Sequence, residues 1–158
     1  MENKFRSAVV SPAGFVASSA HHFFMSSHRS ERSQTWAMKH WSARVAPSMV
    51  ESIRSRKLIT YPSVNTISDG IAIRIPVKQS LIDLEHMIDD TLLVSDSATL
   101  KAMKLLYQHL GVVSEPSAAV GIAALGYNKK RWWNKKVGVI ICGSNLTPDQ
   151  FKNWIMNG

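Results

Sequence analysis

The sequence predicts an α/β fold, a mainly parallel sheet of about four strands flanked by helices. Three observations predict it. Short apolar runs alternate with stretches of helical period, and turn or capping residues stand between them. The chain has 158 residues, enough for one domain with a sizeable core and hardly two. Its composition, 45% hydrophobic and 19% charged, excludes a disordered chain.

Taken in order, Ala8-Val9-Val10 reads as a short buried strand ended by Ser11-Pro12-Ala13-Gly14. A helix is expected next, with Val16, Ala20, Phe23 and Phe24 on one buried face. Thr35 to His40 reads as a second strand, and Pro47 opens a helix running to about Arg54. Tyr61 to Ser68 is turn-rich and reads as a loop. Ile71, Ile73 and Ile75 alternate along an expected strand that Pro76 stops.

Leu81, Leu84 and Ile88 mark another helix, and Leu92-Leu93-Val94 a short strand. Ser95 or Asp96 then caps a helix whose apolar stripe is Leu100, Met103, Tyr107 and Leu110, closed by Gly111. Val112-Val113 is a brief strand or turn, and a small-residue helix follows from Ser117 to about Leu125. Val137 to Cys142 is apolar nearly throughout, as a strand covered on both faces should be. Thr147-Pro148-Asp149-Gln150 starts the last helix with a capping hydroxyl, a proline and an amide able to reach back.

Several function classes lose support at once. No apolar run is long enough to span a bilayer, and the first residues, Met-Glu-Asn-Lys-Phe-Arg-Ser, lack the apolar core of a signal peptide. The lone cysteine, Cys142, cannot form an internal disulfide, which fits a reducing compartment; the expected location is the cytoplasm. The six histidines (His21, His22, His28, His40, His86, His109) do not combine into a zinc-ligand pattern, so no metal is expected. Neither a Gly-x-Ser-x-Gly elbow nor a phosphate-binding Walker loop is present.

The net charge of +8 raises nucleic acid as a partner, and five cations crowd into Lys129-Lys130-Arg131-Trp132-Trp133-Asn134-Lys135-Lys136. Tryptophans beside lysines can stack bases while the charges track phosphates. The plainer reading is a solvated connection with both tryptophans packed back on the body. No recognition motif accompanies the segment, so nucleic acid is not the expected partner.

Ligands of open α/β sheets gather at the carboxyl ends of strands. That rule singles out Gly14, Ser114-Glu115 and Cys142-Gly143-Ser144-Asn145. Together with Thr66-Ile67-Ser68-Asp69-Gly70, these are the places where the chain resembles the threonine/serine dehydratase group of pyridoxal-phosphate (PLP) enzymes, of tryptophan-synthase-β fold (fold type II). The likeness runs from about Ala8 and is strong after Val45, through Ala46-Pro47-Ser48-Met49-Val50-Glu51-Ser52 and Leu110-Gly111-Val112-Val113-Ser114-Glu115-Pro116-Ser117-Ala118-Ala119. It implies a short extension over residues 1–7 and a partial PLP-enzyme domain over 8–158, matching the C-terminal half of the family's fold.

The resemblance implies PLP as cofactor, an amino-acid substrate, and roles for five residues. Cys142 stands where the family places a serine or cysteine against the pyridine nitrogen. A neutral thiol there makes the ring a milder electron sink than an aspartate would. Read without the family, Cys142 is a small buried residue at a strand end. Glu115 matches the acid of a Glu-Pro motif near the active site; otherwise it is a charge favoured by the helix dipole. Gly70 belongs to a loop that passes the cofactor, or to an ordinary turn before a strand. Gly143 begins the Gly-Gly-Asn-like turn. Gly14 is what remains of a glycine run whose backbone N–H groups hold the PLP phosphate, with bulky Phe15 behind it.

Two features of the family are not matched: the Schiff-base lysine in a Ser-Phe-Lys-like context and the Asn-containing loop that reads the substrate carboxylate. No catalytic residue is therefore assigned, and the chain is not expected to catalyse alone. Two classes of function follow. One is a segment of a PLP lyase that eliminates water from serine or threonine, completed by self-association or a complementary chain. The other is a non-catalytic α/β binding or interaction module.

Overall fold

The computed structural model describes residues 23–30, 33–127 and 129–157. The strand expected over Ala8-Val9-Val10, the turn containing Gly14, and Val16, Ala20, His21 and His22 lie outside the described residues.

Among the described residues, strands form a four-stranded sheet of order β3-β2-β1-β4. β2 (Ser33–Ala43) and β3 (Asp90–Val94) run parallel, in register from Lys39 opposite Asp90 to Ala43 opposite Val94. Parallel neighbours need a long crossover, and here it carries α1 (Ser48–Ser55) and α2 (Lys78–Leu84). β1 (Phe23–Ser30) pairs antiparallel with β2 and, on its other edge, with β4 (Val137–Val139). Ser30 lies opposite Ser33, and partners so close in sequence can belong only to antiparallel strands. The α/β class and the four strands are as expected; the parallel pairing lies at β2–β3.

The helix expected to include Phe23 and Phe24 is strand β1 at those positions, and His28 lies on the same strand. Hydrogen-bonded neighbours on both edges outweigh an apolar spacing carried by residues of modest helix propensity. The strand expected at Ile71, Ile73 and Ile75 is also corrected: Asp69–Ile71 form one 3₁₀ turn and irregular chain follows. Its N–H groups turn inward, Ala72 to the Asp69 carbonyl at 3.0 Å and Ile73 to the Ile71 carbonyl at 2.8 Å, and the Arg74 carbonyl accepts from Tyr61 N–H at 3.0 Å. The Ile73 carbonyl accepts from the Ser48 hydroxyl. The strand expected over Val137–Cys142 stops at Val139, where its pairing with β1 ends.

The helices follow their sequence signals closely. α3 (Asp96–Leu110) starts on Ser95, whose hydroxyl accepts from Ala98 N–H, and ends on left-handed Gly111. α4 (Pro116–Tyr127) buries Ala118, Ala119, Val120, Ala123 and Ala124, so it is apolar nearly all round and sits inside the fold. α5 (Pro148–Phe151) opens with a full capping box between Thr147 and Gln150 and continues as a π-helical turn over Lys152–Met156.

The core lies where α3 and α4 cover the sheet: Trp41, Val94, Met103, Leu106, Val120 and Ile155 meet there. Small residues on α4 let it approach closely. A Cβ on Gly121 would stand 2.5 Å from Val139 Cγ1 and 3.1 Å from Trp41 Cζ2. Among the described residues no helix is long and apolar enough to cross a membrane.

Candidate functional site

Three segments converge beyond the end of β4. The first is the loop entering the Asp69–Ile71 turn, held by Asp96 at the start of α3: its carboxylate accepts from Thr66 Oγ1 at 2.6 Å and Ile67 N–H at 3.1 Å. The second is Ser114-Glu115 at the head of α4, where Pro116 suits the first helical position because its missing N–H would have no partner there. The third is the chain from Cys142 to Asn145.

Glu115 joins all three. Its N–H donates to the Gly143 carbonyl at 3.0 Å, and its carbonyl accepts from Ala119 N–H inside α4. Its carboxylate accepts from Asn145 N–H at 3.2 Å. The carboxylate also occupies the space a side chain at 143 would fill, since a Cβ there would lie 2.6 to 2.7 Å from the Glu115 carboxyl atoms. Gly70 is a second close approach: its Cβ would stand 2.8 Å from Ser117 Oγ and 3.8 Å from Glu115 Oε1. Four of the five singled-out residues, Gly70, Glu115, Cys142 and Gly143, thus gather around one carboxylate. The fifth, Gly14, lies outside the described residues.

Cys142 is exposed, not the buried strand-end residue that its position alone suggests. Partial desolvation pushes its thiol pKa up, and the negative charge of Glu115 pushes the same way. The thiol is therefore neutral near pH 7 and can act as a weak donor.

Sequence reasoning singled out Ser114 and quoted Ser68 and Ser117 within matching segments, but gave these serines no role. The hydroxyls of Ser68, Ser114 and Ser117 are buried, with no hydrogen-bond partner among the described residues. A hydroxyl buried in that way costs about 1–3 kcal/mol, so three in adjoining segments mark a place built for something polar. Ser114 and Ser117 flank the Glu115-Pro116 pair, and Ser117 is a polar residue on an otherwise apolar helix. That was the available signal. Among the described residues no group of three or more His, Cys, Asp or Glu side chains gathers to hold a metal.

These residues suit the ring of a pyridine cofactor better than its phosphate. A protonated thiol can donate to an aromatic nitrogen, and three unpartnered hydroxyls remain to meet polar substituents. No described residue in the cluster is a cation.

The pyridoxal-phosphate dependent enzyme family matches residues 11–143. A serine racemase of Oryza sativa subsp. indica is 35% identical over 111 residues, 64% of this chain and 31% of the relative. L-threonine ammonia-lyase of Thermotoga maritima is 30% identical over 112 residues, 71% of this chain and 28% of its own. Maize serine racemase superposes with a TM-score of 0.63 at 31% identity, covering 72% of this chain and 36% of that one. The chain spans about a third of the length of the relatives it matches. The match to residues 11–143 places this chain in the pyridoxal-phosphate dependent enzyme family.

Proposed function

We propose that this chain carries the ring-nitrogen side of a pyridoxal-phosphate site in an enzyme that eliminates water from a β-hydroxy amino acid, giving a keto acid and ammonia. The observation that carries the reading is the exposed, neutral Cys142 thiol held beside Glu115 at the end of β4. The names of the relatives, serine racemase and L-threonine ammonia-lyase, supply the substrate class.

Pyridoxal phosphate, when bound, supplies an electron sink for negative charge developing at the substrate α-carbon. Cys142 would donate to its ring nitrogen without protonating it fully, because the desolvated thiol next to Glu115 is a poor acid. Gly143 and Gly70 let the Glu115 carboxylate and the Ser117 hydroxyl sit where a side chain would intrude. The Ser114 and Ser117 hydroxyls are donors left over for polar groups of the ligand. Glu115 holds the 142–145 turn on α4 and sets the charge that Cys142 senses.

None of the lysines stands in the family's Schiff-base context, so we assign no base for the α-proton to this chain. The complete catalytic unit then includes a complementary chain or segment. Exposed Val45, Ile75, Val77, Ile82 and Ile140 are apolar surface that such association, or self-association, would cover.

The test adds pyridoxal phosphate to the full chain, records the visible spectrum, and maps any lysine trapped by borohydride. Cofactor absorbance that moves on Cys142→Ala, with no single lysine trapped and no ammonia released from serine or threonine, is the expected result. Stoichiometric trapping on one defined lysine would overturn the claim about the missing base. A spectrum indifferent to Cys142→Ala would overturn the ring-nitrogen assignment. Sedimentation at increasing concentration should show association; a strict monomer would rule out self-association and leave a complementary chain as the way to complete the unit.

A further inference from the structure

The basic segment before β4 is a shaped surface turn, with one tryptophan in and one out. Lys129–Trp132 form a 3₁₀ turn, extended by Trp133 N–H to the Lys130 carbonyl at 3.3 Å and Lys135 N–H to the Trp132 carbonyl at 3.1 Å. Asn134, left-handed at φ 56°, closes it. Trp132 is 7% exposed in the core, with the Arg131 guanidinium 5.2 Å from its ring centroid. Arg131 in turn bonds Asp90 on β3. Trp132 and Arg131 therefore pin the turn to the body, and Trp133 is left pointing away.

At 73% exposure, Trp133 stands further into solvent than any other large apolar side chain over residues 39–127 and 129–157. Lys129, Lys130 and Lys136 around it are exposed as well, and Lys135 is half-buried. Both tryptophans packed back on the body was the plainer expectation, and it holds only for Trp132.

We propose that this turn binds single-stranded nucleic acid, with Trp133 as the stacking platform for a base and Lys129, Lys130 and Lys136 on the flanking phosphates. A chain of net charge +8 attracts polyanions generally, but a lone upright indole adds a requirement for a free aromatic face. Duplexes hide their base faces, so a single strand fits better. A membrane surface fits worse: interfacial binding needs an apolar face, and Trp133 is the one exposed apolar side chain of this turn. The turn precedes β4 and Cys142 follows it, so the two lie beyond opposite ends of that strand.

The test titrates the full chain into a labelled oligothymidylate at low salt and follows anisotropy. Binding should weaken with salt at a log–log slope of about −2, as expected for three lysine–phosphate contacts on a single strand. Trp133→Ala should weaken it about tenfold, the worth of one stacked base, while Trp133→Phe retains most of it. Trp133 is exposed, so its variants should melt as the parent does, and the cofactor spectrum should not change. Three results would each overturn the proposal: no oligonucleotide binding at low salt, binding that ignores Trp133→Ala, or Trp133-dependent binding to phosphatidylserine vesicles with the oligonucleotide inert.

Discussion

Cys142 and Glu115 make a pair whose coupling can be read without any cofactor. Alkylation follows the thiolate, so the rate of Cys142 modification against pH should rise with a midpoint above that of an ordinary thiol. Glu115→Gln removes the neighbouring charge and should lower that midpoint, yet leave it above the ordinary value because desolvation is the larger cause. A midpoint that does not move would mean the carboxylate is not felt at the sulfur. At this scale much of the site was legible: Gly70, Glu115, Cys142 and Gly143 stand in motifs whose residue types match their chemistry. Ser68, Ser114 and Ser117 stood in the same segments, but their burial was not legible. Serine is common on surfaces, and only the packing of α4 against the Asp69–Ile71 turn makes their burial visible.

At the scale of elements, two glycines separate backbone freedom from packing. Gly111 is left-handed at φ 65°, and a Cβ added to it would meet nothing within 4 Å, so Gly111→Ala costs conformational energy alone. A loss of about 1 kcal/mol in denaturant unfolding is expected. Gly121 has ordinary helical backbone but Val139 and Trp41 against it. Gly121→Ala should therefore destabilise by about 1–3 kcal/mol through overpacking, with retained helicity by circular dichroism and a lowered urea midpoint. If the Gly121 variant unfolds as the parent does, the close approach of α4 to the sheet is wrong. Sequence signals located α3 and α5 well because caps act within a few residues: Ser95, Gly111 and the Thr147–Gln150 box are local chemistry. β1 was illegible because its stability comes from partner strands on both edges, His40 near one and the distant Val139 near the other. The Ile71–Ile75 alternation misled for the converse reason: its backbone groups pair within the Asp69–Ile71 turn, with the Ser48 hydroxyl and with Tyr61 N–H, and not with a neighbouring strand.

For the whole molecule, strand order and relative direction were beyond the sequence, whereas the α/β class was within it. Charge now connects distant parts. Burial works to raise the Asp90 carboxyl, but the Arg131 hydrogen bond, the Thr91 N–H and the charges of Arg131 and Lys39 together bring it below its ordinary range. A depressed carboxyl contributes stability above its unfolded pKa of about 3.9 and loses it as pH falls through the folded value. The parent should therefore be more stable than Asp90→Asn near pH 6, and the gap should close as acid is added below about pH 4. Both side chains are 33% exposed, so solvent screening holds the gap to within about 1 kcal/mol. A gap that widens in acid would contradict the pairing.

Among the described residues β4 has a single neighbour in the sheet, β1, and β4 is the strand that delivers Cys142. Among the described strands β1 is the edge that β4 joins, so the placing of Cys142 should depend on β1 and be lost when β1 opens. Amide protons of Val137, Gly138 and Val139 should consequently exchange on the timescale of β1 opening, sooner than those of α3 and α4. Wherever β1 is displaced by a partner or a mutation, the site goes with it while the helical core still stands.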